Sequence, residues 1–517
     1  MTKNSSTNPT AVSSRTLLAL IFAAGLTGCA SFAPEALRPA EVLATAQADK
    51  AAQARDVVPL SGPLSLEEAV ARAIKYNAER RLKAMEEAVA TGTFEAGKFD
   101  MLPRLVASAG YRYRDKDLLT SSRDLETGNL IGARTISSSA EATTTEFGLS
   151  WSLLDFGQSY YAAKQNGDRA LIAAERRRKA IHTLVQDVRT AYWRVAAADK
   201  LSASVRLSID EAESALQDAR KAESEMLRSP LEPLRFQRQL LENLRLLEAV
   251  KQELSSARIE LAALVGLPPT QPVTVVEPVG DIRTAWLDAP VDALETQALA
   301  LNPDLRESMY NVRIAQQETR RAMLKFFPGL SFNYGIKHSD DAYLVNQSWN
   351  EAGVQLSFNL LGLLGLPAQR RLAEAGVALA DQKRVATQMA VLTQLHIARL
   401  QYANAARQYV RADSIASVDG RIVAHVSNQE QAQKQTKLER VSQQTASILS
   451  SLRRYQAMSN VQAAASRLQA TLGMELSVDG SDSMPLPELT AAVSRSLQNW
   501  EDGKLPPLTQ AAAAAQD

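Results

Sequence analysis

The stretch FGLSWSLLDFG, Phe147 to Gly157, decides the fold, because its large apolar residues fall at every second position. The apolar residues of this alternation are Phe147, Leu149, Trp151 and Leu153. Small or polar residues stand between them, so the period is that of a β-strand with one apolar face. A soluble sheet would turn such a face to a protein core, so the rest of the chain must supply one.

The sequence follows the same plan twice. Pro103 pairs with Pro328 (328 − 103 = 225), and Asn77 pairs with Asn302 at the same shift. Further pairs, at a shift of 207, are Leu149–Leu154 with Leu356–Leu361 and Val265-Gly266 with Leu472-Gly473. The difference of 18 residues falls between the two strands of each half, where a loop absorbs an insertion. We therefore predict an internal two-fold repeat, with one repeat at 64–275 and the other at 288–476.

Most of each half is predicted to be helical. The predicted helices are Leu66–Met101, Gln158–Leu227 and Leu231–Val265 in the first half, and Val291–Phe327, Pro367–Gln435 and Leu438–Leu472 in the second. A helix of roughly 70 residues is about 100 Å long. Leu240, Leu247, Leu254 and Leu261 follow one another at seven-residue intervals, which is the spacing of a coiled coil. The fold class is therefore mainly α, with long paired helices.

Three other segments share the strand period, and they begin at Leu105, Leu330 and Glu351. All four strands have about eight to ten residues, close to the length of a tilted transmembrane strand. The long helices are already paired through their own stripes, so lipid is the apolar solvent that remains. A four-stranded soluble sheet packed on a helix is the alternative. The side chains that we predict to face lipid are Tyr111, Tyr113, Phe147, Trp151, Phe332, Tyr334 and Phe358.

Four strands cannot close a membrane barrel, and an open sheet edge in hydrocarbon leaves N–H and C=O groups without partners. Two copies of the chain would give eight strands and three would give twelve, enough for a lumen. Polar residues on the opposite face favour a wet interior, and they are Arg112, Lys337, Glu351 and Gln355. We therefore predict a homotrimer with a 12-stranded β-barrel.

The two ends of the chain carry other signals. Residues 1–28 have the apolar run and basic flank of a signal peptide, and Cys29, the sole Cys, follows in a segment that resembles the bacterial lipobox. A chance buried thiol is the alternative to lipidation. Ala30 is not the Asp that resembles an inner-membrane retention signal, which favours the outer membrane. Residues 29–63 are predicted to be an extended, lipid-anchored linker, and 477–517 a flexible tail with a short helix around Leu486–Trp500 at most.

The doubled plan, the W-x-L-x-D-x-G turn at Trp151 to Gly157 and the matching ends Val265-Gly-Leu267 and Leu472-Gly-Met474 resemble the TolC-like outer membrane efflux protein family, in its lipid-anchored branch. The resemblance covers roughly Leu64 to Glu475. It implies a trimeric tunnel: a twelve-stranded barrel in the outer membrane that continues into a periplasmic α-barrel, docked by a periplasmic adaptor of an inner-membrane pump.

The same resemblance indicates two turns at the helix tips. The family has a Gly, a small polar residue and Leu-Asp there, whereas this chain has Leu-Glu in both turns and no Gly. The residues that we predict to face the adaptor are Leu227, Arg228, Ser229, Lys434, Gln435 and Thr436. Solvated helix ends are the alternative. Glu232 and Glu439 replace the family's acidic residue at the entrance, where three copies would form a ring of carboxylates that favours cations. Their alternative role is an ordinary interaction with the helix dipole.

Other function classes find little support. The formal net charge is +1 and the one dense basic cluster, Arg176–Lys179, suits a solvated helix face, so nucleic acid is not an expected partner. The four His residues, His182, His338, His396 and His425, are not in metal-ligand spacing, so we expect no enzyme, cofactor or metal. The two functions that remain are a passive conduit of an efflux or secretion system and a structural or adaptor coiled-coil lipoprotein. The cargo, whether drug, metal ion or protein, is not encoded in a recognisable motif.

Overall fold

The computed structural model describes residues 36–121, 123–132, 135–224, 231–277, 282–432, 436–476 and 480–505. The chain divides into two units, Met1–Val57 and Val58–Asp517. The described part of the first unit contains one helix, α1 (Pro39–Arg55), all of whose residues are exposed. The extended linker predicted over 29–63 is therefore wrong across this segment. Its many Ala residues are strong helix formers, and Pro39 stands at the first helical position, where it is tolerated.

The second unit is mainly helical with one main sheet. Its described helices are α2 (Leu66–Tyr76), α3 (Ala78–Phe99), α4 (Leu153–Ser224), α5 (Leu231–Leu264), α6 (Ala285–Asp288), α7 (Val291–Leu301), α8 (Pro303–Leu324), α9 (Leu366–Gln431), α10 (Lys437–Thr471) and α11 (Leu486–Glu501), with a 3₁₀ turn at Leu361–Gly365. Its described strands are β1 (Arg104–Tyr113), β2 (Leu119–Thr120), β3 (Thr135–Ile136), β4 (Glu141–Ser152), β5 (Gly329–Ser339) and β6 (Ser348–Ser357).

The first predicted helix of each half is interrupted by one asparagine. Asn77 and Asn302 have extended backbone, with ψ of 127° and 125°, and each caps the helix that follows. The Asn77 side chain accepts a hydrogen bond from the Arg80 N–H at 3.0 Å. The continuous helices predicted for Leu66–Met101 and Val291–Phe327 are therefore wrong at these residues, because the asparagine side chain stabilises a break that the apolar period does not show.

The long helices lie close to their predicted bounds. Helix α4 has 72 residues and α9 has 66, and each is followed by a shorter helix of 34 or 35 residues. Leu153, which the alternation placed in a strand, is the first residue of α4 instead. The Ser152 hydroxyl accepts a hydrogen bond from the Asp155 N–H at 3.2 Å, and this cap starts the helix directly at the strand end.

The main sheet is antiparallel, with the order β1-β4-β5-β6. The helices next to the sheet follow the same order, since α3 packs on α4, α4 on α8 and α8 on α9. Further from the sheet the order becomes α5, α4, α10 and α9. Strand β1 follows α3 and strand β6 precedes α9, so the outer edges of the sheet and of the helix layer coincide.

Helix α11 packs on α2 and buries Leu489, Val493 and Trp500. The Trp286 indole donates a hydrogen bond to the Trp500 carbonyl at 2.5 Å. Lys75 Nζ lies 2.5 Å from the Met484 carbonyl oxygen. The short helix predicted around Leu486–Trp500 is confirmed as Leu486–Glu501, but it packs on α2, so this segment is not part of a flexible tail. The apolar residues of this helix cover one face of α2, which would otherwise be exposed.

Candidate functional site

The register of the sheet brings the alternating apolar residues onto one face. Phe147 lies opposite Ala107 on β1 and Ile336 on β5. Trp151 lies opposite Phe332, and the two rings are stacked with centroids 6.2 Å apart. Direct cross-strand neighbours on one face are the pairs that stabilise a sheet. The described helices do not bury this face, since Phe147 is 49% and Tyr334 44% exposed.

Most of the side chains predicted to contact lipid share this face. They are Tyr111, Tyr113, Phe147, Trp151, Phe332 and Tyr334. Tyr111 and Tyr113 are the most exposed of them, and Trp151 is half-buried by its aromatic neighbours. Phe358 is an exception, because β6 ends at Ser357 and leaves Phe358 beyond the strand. An exposed apolar face suits a lipid environment, but contact with lipid itself stays a prediction.

The opposite face of the sheet carries charged and small residues. Lys337 Nζ lies 2.9 Å from Glu351 Oε2 and 3.7 Å from Glu146 Oε1. Arg112, Lys337, Glu351 and Gln355, which we predicted to point away from the apolar face, all have the register of this second face. Glu146 was missed, because the alternation was traced only from Phe147, whereas β4 begins at Glu141.

The loops beyond the sheet are held together by one buried carboxylate, that of Asp341. Asp341 Oδ1 accepts hydrogen bonds from the Ser139 N–H at 2.9 Å and from the Ser139 hydroxyl at 2.8 Å. Asp341 Oδ2 accepts from the Ser138 hydroxyl at 3.1 Å and lies 3.4 Å from Arg112 Nη2. The backbone hydrogen bond from Ser139 is the main cause that holds the pKa of Asp341 below its ordinary value, so this loop contact stays charged.

The other end of the molecule is the tip of the long helices. Thr436, the one predicted docking residue that the structure describes, caps α10 by accepting a hydrogen bond from the Glu439 N–H at 3.3 Å. The Glu439 carboxylate is half-buried and accepts a hydrogen bond from Gln443 Nε2 at 2.9 Å. It therefore lies in the first turn of α10, where the helix dipole favours a negative charge.

The remaining predicted residues of the two ends fall outside the described part of the chain. They are Cys29, Leu227, Arg228, Ser229, Lys434 and Gln435, together with the side chain of Glu232.

The described part of the tip contains an ion-pair cluster that the sequence did not indicate. Arg440 lies 2.7 Å from Glu211 on α4 and 3.1 Å from Glu430 on α9. Ion pairs between helices depend on register, which residue spacing within one helix does not give.

The histidines show no arrangement for catalysis or metal binding. His182 is buried in α4, and desolvation with the nearby Arg178 charge lowers its pKa to about 4. His396 Nε2 lies 2.9 Å from Glu295 Oε1, while His338 contacts a serine and His425 a glutamine. Over the described ranges, no group of three or more His, Cys, Asp and Glu side chains is placed to hold a metal ion. Among the helices described, none is both long and apolar enough to cross a bilayer.

Comparison with known proteins identifies the architecture. Residues 70–267 match the sequence model of the family described as outer membrane efflux protein. No curated protein sequence matches the chain. The family and the solved channels that resemble this chain are transport channels and not enzymes, as the sequence predicted.

Solved structures share the fold over most of the chain. The Campylobacter jejuni CmeC outer membrane channel is 12% identical, with a TM-score of 0.62, over 83% of this chain and 89% of that one. The open state of the Neisseria gonorrhoeae MtrE outer membrane channel is 14% identical, with a TM-score of 0.60, over 79% and 88%. The outer membrane protein VceC of Vibrio cholerae is 14% identical, with a TM-score of 0.56, over 79% and 96%.

Proposed function

Residues 70–267 match the sequence model of the outer membrane efflux protein family, and from this match we propose that the whole chain is the outer membrane channel of a tripartite efflux or secretion system. Three copies enclose a passive conduit that crosses the outer membrane as a 12-stranded β-barrel and the periplasm as an α-barrel. The two similar halves derive from an internal repeat. An energised inner-membrane pump drives the solutes, and the channel supplies shape and a wet wall.

The proposal rests on one observation: the open edges of the sheet and the open edges of the helix layer lie at the same two sides. Strands β1 and β6 are the two edges of the sheet, and all ten residues of each are exposed. Helices α3 and α9 lie at the same two sides of the helix layer. Two different edges that complement each other give a head-to-tail contact, and such a contact closes into a ring when its rotation permits. One ring then satisfies the backbone of the sheet and covers the helix edges together.

The helix edges also carry apolar side chains, as a subunit contact requires. Leu82, Met85 and Val89 form a stripe on α3 and are 54%, 63% and 70% exposed. On α9 the exposed apolar residues include Leu372, Leu379, Met389 and Leu400. Such apolar stripes on a protein surface mark interaction sites. Their position at the edges supports association with a second copy.

The remaining parts of the proposal concern the two membranes. The aromatic face of the sheet contacts outer membrane lipid, and Cys29, after removal of residues 1–28, carries acyl chains that add a second anchor. Acyl chains contribute about 0.8 kcal/mol per buried CH₂. At the other end, the turns with Leu227–Ser229 and Lys434–Thr436 dock a periplasmic adaptor.

Two experiments test the proposal. The purified full-length chain should run as a detergent-resistant trimer and should form conducting pores in a planar lipid bilayer. A structural or adaptor lipoprotein is the alternative function, and it predicts a water-soluble monomer after Cys29→Ser and no conductance. Monomers without pores would refute the channel.

The acidic ring is a separate proposal. Three copies of Glu232 and Glu439 surround the periplasmic entrance and favour cations there. Glu439→Gln should lower the K⁺ over Cl⁻ permeability ratio in the bilayer assay. An unchanged ratio would leave Glu439 with only its interaction with the α10 dipole, which its place in the first turn of that helix allows.

A further inference from the structure

A lysine flanked by two carboxylates lies on the polar face of the sheet, near the end of β5 and the start of β6. Lys337 on β5 lies directly opposite Glu146 on β4, and its Nζ lies 3.7 Å from Glu146 Oε1. Glu351 on β6 lies two residues along from Trp349, the partner of Lys337, and its Oε2 is 2.9 Å from Nζ. The three residues thus connect three neighbouring strands. Their side chains are 29% (Lys337), 46% (Glu146) and 59% (Glu351) exposed.

Glycines beside these residues leave room for the charged side chains to lie along the sheet. Gly148 and Gly335 are opposite each other on β4 and β5, one step along the same face. A Cβ at Gly335 would lie 3.2 Å from Glu146 Oε1 and 3.5 Å from Lys337 Cε, and a Cβ at Gly148 would lie 3.5 Å from Glu146 Oε1. The side chains of Glu146 and Lys337 therefore occupy the space above the glycines. The cluster therefore adds charge to this face while its side chains lie close to the plane of the sheet.

The cluster has one uncompensated negative charge, because one ammonium group faces two carboxylates. The other charged residues of this face are Arg104 and Arg112, and Arg112 is already paired with Asp341. Each lies four residues along β1 from Ser108, which shares the level of Glu146. Four residues of a strand span roughly 13 Å, and the Debye length is about 8 Å in physiological salt. The field at this level is therefore set mainly by the cluster itself.

We propose that Lys337, Glu146 and Glu351 form a charge ring that sets the ion preference of the barrel, with Lys337 limiting its attraction for cations. The inference rests on the proposed trimeric channel, which turns the polar face of the sheet to the lumen. Three copies would place three clusters at one level, each with a net charge of −1. Small cations are then the favoured solutes at this level, and Lys337 is the residue that moderates the preference. This ring is distinct from the one proposed at the helix tips.

Reversal potentials under a KCl gradient across a planar bilayer test the ring, with full-length protein. Lys337→Gln removes one positive charge from each of the three copies and should raise the K⁺ over Cl⁻ permeability ratio about threefold or more, because even one unit charge acting over several ångströms of water has about that effect. The double variant Glu146→Gln, Glu351→Gln should lower the ratio below that of the unsubstituted protein. Lys337→Arg should preserve it. Lys83→Gln is the matched control, because Lys83 also pairs with a glutamate, at 2.9 Å from Glu86, but lies on α3 outside the sheet.

The outcomes separate this proposal from the one on which it depends. Wild-type pores whose ratio moves with Lys337→Gln and with the double variant, but not with Lys83→Gln, support the ring. Pores whose ratio is the same in all variants overturn it and leave the channel intact, and so does a preference that only Glu439→Gln alters. A wild-type protein that gives no conductance overturns the channel and the ring with it. A detergent gel for trimers shows that each variant has assembled.

Discussion

At the scale of single residues, two similar joints connect helices, one within each half of the second unit. Each joint consists of an asparagine between two helices and a glycine at the end of a third. Asn302 Nδ2 donates to the Thr471 carbonyl at 3.0 Å, and Asn77 Nδ2 donates to the Leu264 carbonyl at 3.3 Å. The glycines that follow, Gly473 and Gly266, have φ of +65° and +76°. A Cβ at Gly473 would lie 2.2 Å from the Leu301 carbonyl oxygen, so only glycine fits.

Replacing Asn302 by alanine should destabilise the protein more than loss of an ordinary cap. Asn302 is 3% exposed and its Oδ1 accepts hydrogen bonds from the Asp304 and Leu305 N–H groups at 3.0 and 3.2 Å. Asn302→Ala removes these bonds and leaves the buried Thr471 carbonyl without its donor. We expect a loss of about 2–3 kcal/mol in the free energy of unfolding. Urea denaturation followed by circular dichroism measures it.

Ser65→Ala is the matched control for this substitution. Ser65 caps α2 through one hydrogen bond, from the Glu68 N–H at 3.1 Å, in a half-buried position. The control should cost about 1 kcal/mol. If both variants lost the same stability, the additional role of Asn302 in joining α10 to the break would be disproved.

Buried His182 should make stability depend on pH in the acidic range. Desolvation, with a contribution from Arg178, lowers its pKa to about 4, against an ordinary value of 6.5. The unfolded chain then binds a proton between pH 6.5 and 4 that the folded chain does not bind. The stabilisation is therefore complete above pH 6.5 and is lost as the pH falls toward 4, by about 3 kcal/mol in total.

Thermal denaturation of the protein and of His182→Gln at pH 7 and pH 4 measures this contribution. The glutamine variant should lose less stability on acidification, by about 3 kcal/mol, because its side chain does not titrate. Equal pH dependence of the two proteins would contradict the prediction.

At the scale of elements, ion pairs at the tip link α10 to α9, which precedes it in sequence, and to α4, which belongs to the other half of the chain. Arg440 contacts carboxylates on α4 and α9, and all three side chains are less than a third exposed. Removing the arginine leaves Glu211 and Glu430 without this partner, and we expect Arg440→Ala to weaken the packing of α10 at the tip by about 1–2 kcal/mol. If the tips form the entrance, the variant should raise single-channel conductance.

Lys437→Ala is the control, because its pair with Asp218 is longer, at 3.5 Å, and more exposed. A conductance that rose equally in both variants would argue against a specific role of Arg440.

The sequence predicts the type of most elements, because helix and strand periods are local. The heptad leucines of α5 and the alternation of Phe147 and Trp151 are clear for this reason. The break at Asn302 is harder to predict from the sequence. A single extended residue does not disturb the apolar periodicity of the helices before and after it. The match of Asn77 with Asn302 was seen in the sequence, but it indicated a repeat rather than a joint. The pairing of β4 with β5 could not be predicted, because alternation fixes a face and not a neighbour.

The same limit applies to the candidate site. Strand parity alone placed Lys337 and Glu351 on one face, and their separation of 2.9 Å then followed from the pairing of β5 with β6. Glu146 lay outside the traced strand and was missed. Helix α11 was predicted near its observed bounds, but its packing on α2 joins residues more than 400 positions apart, which a single sequence does not reveal.

At the scale of the whole molecule, the sheet and the helix layer expose matching edges at corresponding heights. Leu379 lies 13 residues after the start of α9 at Leu366 (379 − 366), next to the sheet. Met85 lies 14 residues before the end of α3 at Phe99 (99 − 85), which also adjoins the sheet. With a rise of 1.5 Å per residue, both side chains lie about 20 Å from the sheet. A ring that joins β6 to β1 of the next copy would therefore bring Leu379 and Met85 to the same level of one interface.

This geometry predicts the effect of charge at the proposed interface. Leu379→Glu and Met85→Glu should each dissociate the trimer, because an unpaired carboxylate in an apolar contact costs several kcal/mol. Light scattering after gel filtration in detergent measures the mass. The double variant Leu379→Lys, Met85→Glu should restore part of the trimer by pairing the two charges. Leu207→Glu is the control, since Leu207 is 58% exposed but lies on α4, which is not at an edge of the layer. If the trimer persists with either single substitution, as it should with the control, the apolar stripes of α3 and α9 do not contact each other. Their exposed side chains would then have to be covered by something other than the neighbouring copy.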